Sequence, residues 1–264
     1  MFSGITFAKP EFDERGYALN VRIVPAGDTG LVVMFEQEIS RKTGTLVRSL
    51  SLLLEEKKKS IKGIIEIVPT FCTVMVYYDP LLLSARKLTR IINEAVSRSS
   101  DEVVNGKSKC YEIPVCYEDS FAPDMKNVEL HTGLSGQEII RRHTEPNYMI
   151  YMLGFLPGFA YLGGLDGKLE TPRLDSPRTK IPAGAVGIGG NQTGIYPLDS
   201  PGGWQLIGKT PIKPYDPGRE KPVLYEAGEF IHFRAVSSLE YEDILKAVED
   251  GSYVCRTFDL KETL

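Results

Sequence analysis

The sequence predicts an α+β protein in two regions, a small N-terminal α+β sandwich domain over residues 1–98 and a β-barrel over 109–264 that carries a C-terminal helix, joined by a linker at 99–108. Three observations predict this. The N-terminal region reads strand, strand, helix, strand, strand, helix, the order of a small sheet covered by two helices. The text SRSSDEVVNGKS, Ser97 to Ser108, is polar and aperiodic, as linkers are. Beyond it, Gly and Pro crowd a series of short strands, above all from Gly154 to Pro222, which is the habit of a barrel.

Each element has its own local reason. Tyr17 to Pro25 alternates as a strand does, Gly27-Asp28-Thr29-Gly30 is a turn, and Leu31 to Phe35 is a second strand. Ser40 caps a helix to about Lys59 with Leu46, Leu50, Leu53 and Leu54 on one face. Ile64–Val68 and Thr70–Tyr78 are β-branched and aromatic strands around Pro69, and Asp79-Pro80 ends the second. Ser84 opens a helix with Leu88, Ile91, Ile92, Ala95 and Val96 at helical spacing. Within the barrel a single clear helix is expected, Ser135 to His143, opened by the capping box Ser135-x-x-Glu138. A last helix, Leu239 to Glu249, follows the box formed by Ser237 and Glu240.

Composition narrows the function classes. Lys plus Arg number 31 against 35 Asp plus Glu, so there is no basic excess to track a phosphate backbone, and nucleic acid is not an expected partner. Residues Met1 to Glu14 carry four charges and do not read as a signal peptide. No apolar run approaches the ~18 residues a membrane helix needs, so the expected location is the cytoplasm. Four cysteines without a C-x-x-C pair and three scattered histidines give no metal-binding pattern; reduced, mostly buried thiols are expected.

The text from Tyr151 to Pro217 carries the chemistry. Phe155, Phe159, Tyr161, Tyr196 and the lone Trp204 sit beside glycines and prolines, where rings line concave surfaces. Gly184, Gly187, Gly189, Gly190 and Gly194 allow close approach or merely tight turns. Gln192, Thr193 and Ser200 are short polar groups suited to an amide or a carboxylate. These residues admit two readings, a ligand site or a barrel with tight corners. Gly203 to Thr210 also matches the phosphate-loop pattern G-x-x-x-x-G-K-[ST]. That loop must lead into a helix, and Pro211 and Pro214 forbid one here, so the match is read as coincidence.

The same text resembles a known family. GFLPGFAYLGGL, PR followed by IPAGAVGI, and GNQTGIYPLDSPGGWQLIGKTP closed by DP are similar to the B subunit of bacterial 5-oxoprolinase, a family also labelled allophanate hydrolase subunit 1. VPAGDTGLVV, EIVPTFCTVMVYYDP and EIIRRHT extend the likeness over most of the chain. The resemblance implies a cyclophilin-like barrel, a sister C subunit and a third subunit as partners, and ATP-driven opening of 5-oxoproline to glutamate. ATP, with Mg, is expected at or with the partner subunit. No A-M-K-M-like segment occurs, so no biotin is expected on this chain. Related domains occur in urea amidolyases and in a sporulation-kinase inhibitor, which leaves two alternatives: a subunit acting on a urea-derived amide, or a module that binds a histidine kinase.

Opening a lactam profits from phosphorylation of its amide oxygen, and such a site needs donors for the developing charge and a cationic clamp. Phe155, Phe159, Tyr161, Tyr196 and Trp204 are expected as pocket wall. Gln192 and Thr193 are expected on the amide or carboxylate, with Ser200 and the amides of Gly189 and Gly190 nearby. Arg178 and Lys180 are either the phosphate or carboxylate cations or surface and subunit contacts. His143 is the candidate acid or base, against a plain reading as a helix-end imidazole.

Overall fold

The structure, a computed structural model, describes residues 11–12, 18–19, 21–38, 40–102 and 107–261. The N-terminal reading at Met1–Glu14 and the first part of the strand expected from Tyr17 therefore lie largely outside the described residues. The chain divides into two compact units, Met1–Lys107 with Lys261–Leu264, and Ser108–Leu260.

In the first unit, β1 (Glu11–Phe12) and β2 (Ala18–Leu19) form a small ladder. Then come β3 (Arg22–Pro25), β4 (Gly30–Met34), α1 (Arg41–Ser60), β5 (Ile64–Pro69), β6 (Thr73–Tyr78) and α2 (Ala85–Glu102). The sheet is antiparallel in the order β3-β4-β6-β5. Val33, Val74 and Val76 of the sheet pack with Leu50 and Leu54 of α1 and Leu88 and Ile92 of α2 in one core. The Ser40 hydroxyl accepts from Thr43 N at 3.2 Å, the cap its position suggests. The expected linker is corrected: α2 continues through Glu102 and the next strand begins at Lys107. Within α2, Ser97 and Ser99 donate to the Glu94 and Val96 carbonyls at 3.0 and 2.8 Å. Residues 103–106 lie outside the described residues.

The second unit holds β7 (Lys107–Cys116), α3 (Met125–Thr132), α4 (Gly136–Thr144), β8 (Asn147–Leu153), β9 (Ala160–Gly163), a 3-10 turn at Gly167–Leu169, β10 (Arg178–Ile181), β11 (Ala185–Gly189), β12 (Gln192–Ile195), β13 (Ser200–Gly202), β14 (Gln205–Lys209), β15 (Phe230–Val236), α5 (Ser238–Glu249) and β16 (Thr257–Lys261). The main sheet runs β12-β11-β14-β7-β15-β8-β9, with β16 also on β7. β7 and β15 are parallel, and the β7–β14 pair and the named pairs beyond both are antiparallel. β9 returns beside β12, where the Ala160 carbonyl lies against Gly194, so the sheet is a nearly closed barrel. Its interior is filled by Ile113, Val115, Ile150, Val186, Ile207 and Phe233, all fully buried, and is a packed core. β10 and β13 make a separate ladder.

Ser135 and Ser237 cap α4 and α5 by accepting from Glu138 N and Glu240 N at 3.3 and 3.2 Å. The barrel unit holds one more helix than expected, α3: its eight residues have weak periodicity, and Asp124, at its N-cap, makes no side-chain cap bond. β16 was likewise not expected after the last helix. No helix among the described residues is long and apolar enough to cross a membrane. All four cysteines are free.

Candidate amide-binding face of the barrel

Strand parity decides which candidate residues can act together. Successive side chains on β12 point to opposite faces, so Gln192 and Gly194 share the outer face while Thr193 and Ile195 enter the core. Thr193 is fully buried. Its hydroxyl donates to the Gly187 carbonyl at 3.0 Å and lies 2.7 Å from Nε2 of His143. The expectation that Gln192 and Thr193 act side by side on one ligand is therefore corrected.

His143 lies inside the barrel too. It follows Ile139 by four residues on α4, so both face inward, and both are fully buried. Its Nδ1 is 2.7 Å from the Tyr117 hydroxyl, and its ring stacks on Phe233 at 4.6 Å. Burial lowers its pKa from 6.5 to about 3. With both nitrogens bonded inside the core, His143 is neutral and has no open atom for exchanging a proton with a ligand on the outer face.

This has a pH consequence whose sign is fixed. The unfolded chain binds a proton at His143 near 6.5 and the folded chain resists until about 3. The stability held by the neutral ring is complete above the unfolded pKa. It is lost as pH falls from there, by up to about 1.4 kcal/mol per pH unit. Urea midpoints measured from about pH 7 down to about pH 4.5 are expected to fall for wild type and to slope less for His143→Gln. Equal slopes would place the acid sensitivity elsewhere.

The outer face is built around Trp204. A Cβ at Gly189 would run into the indole, and one at Gly194 would sit 3.2 Å from it, so these positions admit the ring because they lack side chains. Phe159 meets Trp204, Tyr196 and Tyr161 edge to face at 5.7, 5.7 and 5.1 Å. Phe159, Tyr196 and Trp204 are buried, and Tyr161 is half-buried. Gln192 is on this same face, paired in register with Gly189. It is half-buried, and its carboxamide bonds no partner among the described residues.

The loop joining β8 to β9 overhangs this cluster and is tied by three bonds. Gly154 N donates to Phe159 O at 3.2 Å, Leu156 N to Gly154 O at 2.7 Å, and Phe159 N to Leu156 O at 3.0 Å. The last closes a turn with Pro157 and then Gly158 at φ +79, the pattern of a type II turn. The middle one closes a γ-turn centred on Phe155 at φ +64, the rarer and more strained form. Phe155 is 64% exposed and stacks edge-on to Phe159 at 5.5 Å. A phenyl held out of the core on a strained backbone has no account in packing, and such strain concentrates at ligand sites.

The expected cations are placed differently. Arg178 donates Nη2 to Oδ1 of Asp124 at 2.6 Å, and Asp124, 5% exposed, also accepts from Leu206 N at 2.7 Å. Arg178 is thus a fixed strut between β10, α3 and β14. Lys180 forms an exposed pair with Asp199 at 2.8 Å. The Gly190 amide is committed to Thr171 O at 2.8 Å, so it is not an anion donor. Ser200 is buried, and its hydroxyl has no partner among the described residues. The phosphate-loop match is the strand β14, as the prolines required. Sequence reasoning missed Tyr117 and Asp124. Asp124 carried no local signal, and Tyr117 meets His143 only through the fold.

What fold and site define is a two-unit α+β protein whose barrel interior is packed and whose open polar group lies on an aromatic outer face. The chain belongs to the family described as carboxyltransferase domain, subdomain C and D, whose model matches residues 21–225, and within it to the B subunits of 5-oxoprolinase. It is 37% identical over 230 residues to the 5-oxoprolinase B subunit of Bacillus subtilis, covering 83% of this chain and 95% of that protein. The crystal structure of TTHA0988 matches with 33% identity and a TM-score of 0.69 over 79% of this chain, which spans 40% of that protein. The K. lactis urea amidolyase structure shares the fold, with 22% identity and a TM-score of 0.73 over 92% of this chain and 16% of its own.

Proposed function

We propose that this chain is the B subunit of an ATP-dependent 5-oxoprolinase and that the face bearing Gln192 and Trp204 receives the lactam. The observation that carries this reading is the unbonded Gln192 carboxamide beside the aromatic cluster. A five-membered lactam holds its amide cis, so its N–H and C=O lie side by side. A primary carboxamide offers an acceptor and a donor at matching spacing, and the two groups close a pair of hydrogen bonds. Phe155 and Tyr161 cover the ring methylenes, with the buried Trp204 supporting them from beneath, and exclusion of water strengthens both bonds. Polarising the carbonyl this way favours attack at its carbon.

The candidate phosphate contacts of this chain are engaged elsewhere. The phosphate-loop match is a strand, Arg178 is held by Asp124, and Lys180 is paired in solvent. In this reading ATP, with Mg, enters on the sister C subunit or the third subunit, and this chain is inactive alone. The test uses the three subunits purified as one complex, following ADP release and glutamate formation from 5-oxoproline with each of them omitted in turn. Coupled product formation that requires this chain is the expected result. No turnover from a stably assembled complex moves the reading to a urea-derived amide, the alternative that the likeness to urea carboxylase and urea amidolyase favours.

A further inference from the structure

We infer that Tyr117, His143 and Thr193 form an ordered hydrogen-bond relay inside the barrel that sets the position of Gln192 on its outside, which makes them positioning residues for the amide site. The inference rests on the reading of that site given above. Its first support is proton order. The Thr193 hydroxyl has one proton and two acceptors in reach, Gly187 O at 3.0 Å and His143 Nε2 at 2.7 Å, and the inferred order gives the proton to the carbonyl, which can only accept. Thr193 Oγ1 then accepts from His143 Nε2–H at 2.7 Å, which leaves Nδ1 bare to accept from the Tyr117 O–H, also at 2.7 Å. In this order the carbonyl sets the tautomer; the opposite order, with Thr193 donating to Nε2 and Nδ1–H to Tyr117, is what the ring spectra below test.

The second support is what the relay holds. The hairpin of β11 and β12 is glycine-rich, with Gly187 opposite Gly194 and Gly189 opposite Gln192. β11 also slips register against β14 between Val186 and Gly187. Glycine-rich strands specify register weakly. The relay ties β12 to β11 at the slip, one residue from Gln192, and runs back to the end of β7 and to α4. A buried polar chain of this kind costs desolvation that three apolar side chains would not, and its return is a unique arrangement. The outer carboxamide is what that arrangement presents.

The experiment compares Thr193→Val, Thr193→Ser and Tyr117→Phe in the assembled three-subunit complex. Thr193→Val keeps the shape and loses the hydroxyl, and is expected to lower kcat/KM for 5-oxoproline by about 100-fold, the scale of a small misplacement of a binding group. Thr193→Ser restores most of that activity, and Tyr117→Phe falls between. Nitrogen-15 spectra of the histidine rings in the full chain are expected to show one Nε2–H tautomer for His143 in wild type, kept in Tyr117→Phe and lost in Thr193→Val. Wild-type turnover in Thr193→Val, or Thr193→Ser as weak as Thr193→Val, overturns the inference, the second because it assigns the effect to the methyl group. If the wild-type complex does not open 5-oxoproline, the substrate reading fails on its own. The ring spectra then decide the relay, and an Nδ1–H tautomer overturns it.

Discussion

Asp124→Ala is expected to destabilise the barrel unit by about 2–3 kcal/mol, the scale for stranding a buried backbone amide and one partner of an ion pair whose guanidinium keeps 31% of its surface in solvent. The carboxylate accepts Arg178 Nη2 at 2.6 Å and Leu206 N at 2.7 Å, while Asp124 N donates to Leu206 O at 3.0 Å. Truncation strands a guanidinium whose Nη1 already lacks a partner among the described residues, and an amide in the wall of the barrel. Asp124→Asn keeps one acceptor and should lose less. Urea unfolding followed by far-UV circular dichroism measures both. A loss under about 1 kcal/mol for Asp124→Ala would mean that Arg178 is not committed to the fold and is free for a ligand.

The first unit was legible because its signals are local. Leu50, Leu53 and Leu54 give α1 its face, and Ser40 gives it its start. The capping serines Ser135 and Ser237 placed α4 and α5 in the same way. What escaped depends on contacts distant in sequence. α3 starts at an aspartate whose carboxylate is spent on Arg178 and Leu206, so no cap is visible in its own text. α2 runs on to Glu102, several residues past the last member of its apolar face, Val96, where the text has already turned polar. The parallel pairing of β7 with β15 joins strands over a hundred residues apart, which no periodicity encodes.

In the site, glycines, prolines and aromatics marked the right stretch, because a ring as large as Trp204 can lie flat on a sheet only where side chains are missing. The role of each polar residue was a question of strand parity. Once Gly189 and Gln192 are seen as a hairpin pair, Thr193 must point the other way, toward His143. The four-residue spacing of Ile139 and His143 pointed the same way. Tyr117 had no such signal, since it meets His143 from 26 residues away.

Gln192→Ala is expected to lower kcat/KM for 5-oxoproline by about 100-fold in the assembled complex. Both lactam hydrogen bonds are lost, and an amide left unpaired in a dry site costs about 1–3 kcal/mol. The same change should leave stability within about 0.5 kcal/mol, because the carboxamide bonds no protein group among the described residues. That contrast separates a ligand contact from a structural one, and it is the reverse of the pattern expected for Asp124→Ala. Gln192→Glu sharpens it: the carboxylate still accepts from the lactam N–H but opposes the carbonyl oxygen, so it should be at least as poor as alanine. Steady-state kinetics and urea midpoints on the same preparations give both quantities. Wild-type turnover in Gln192→Ala would take the lactam off this face, whatever the complex as a whole does.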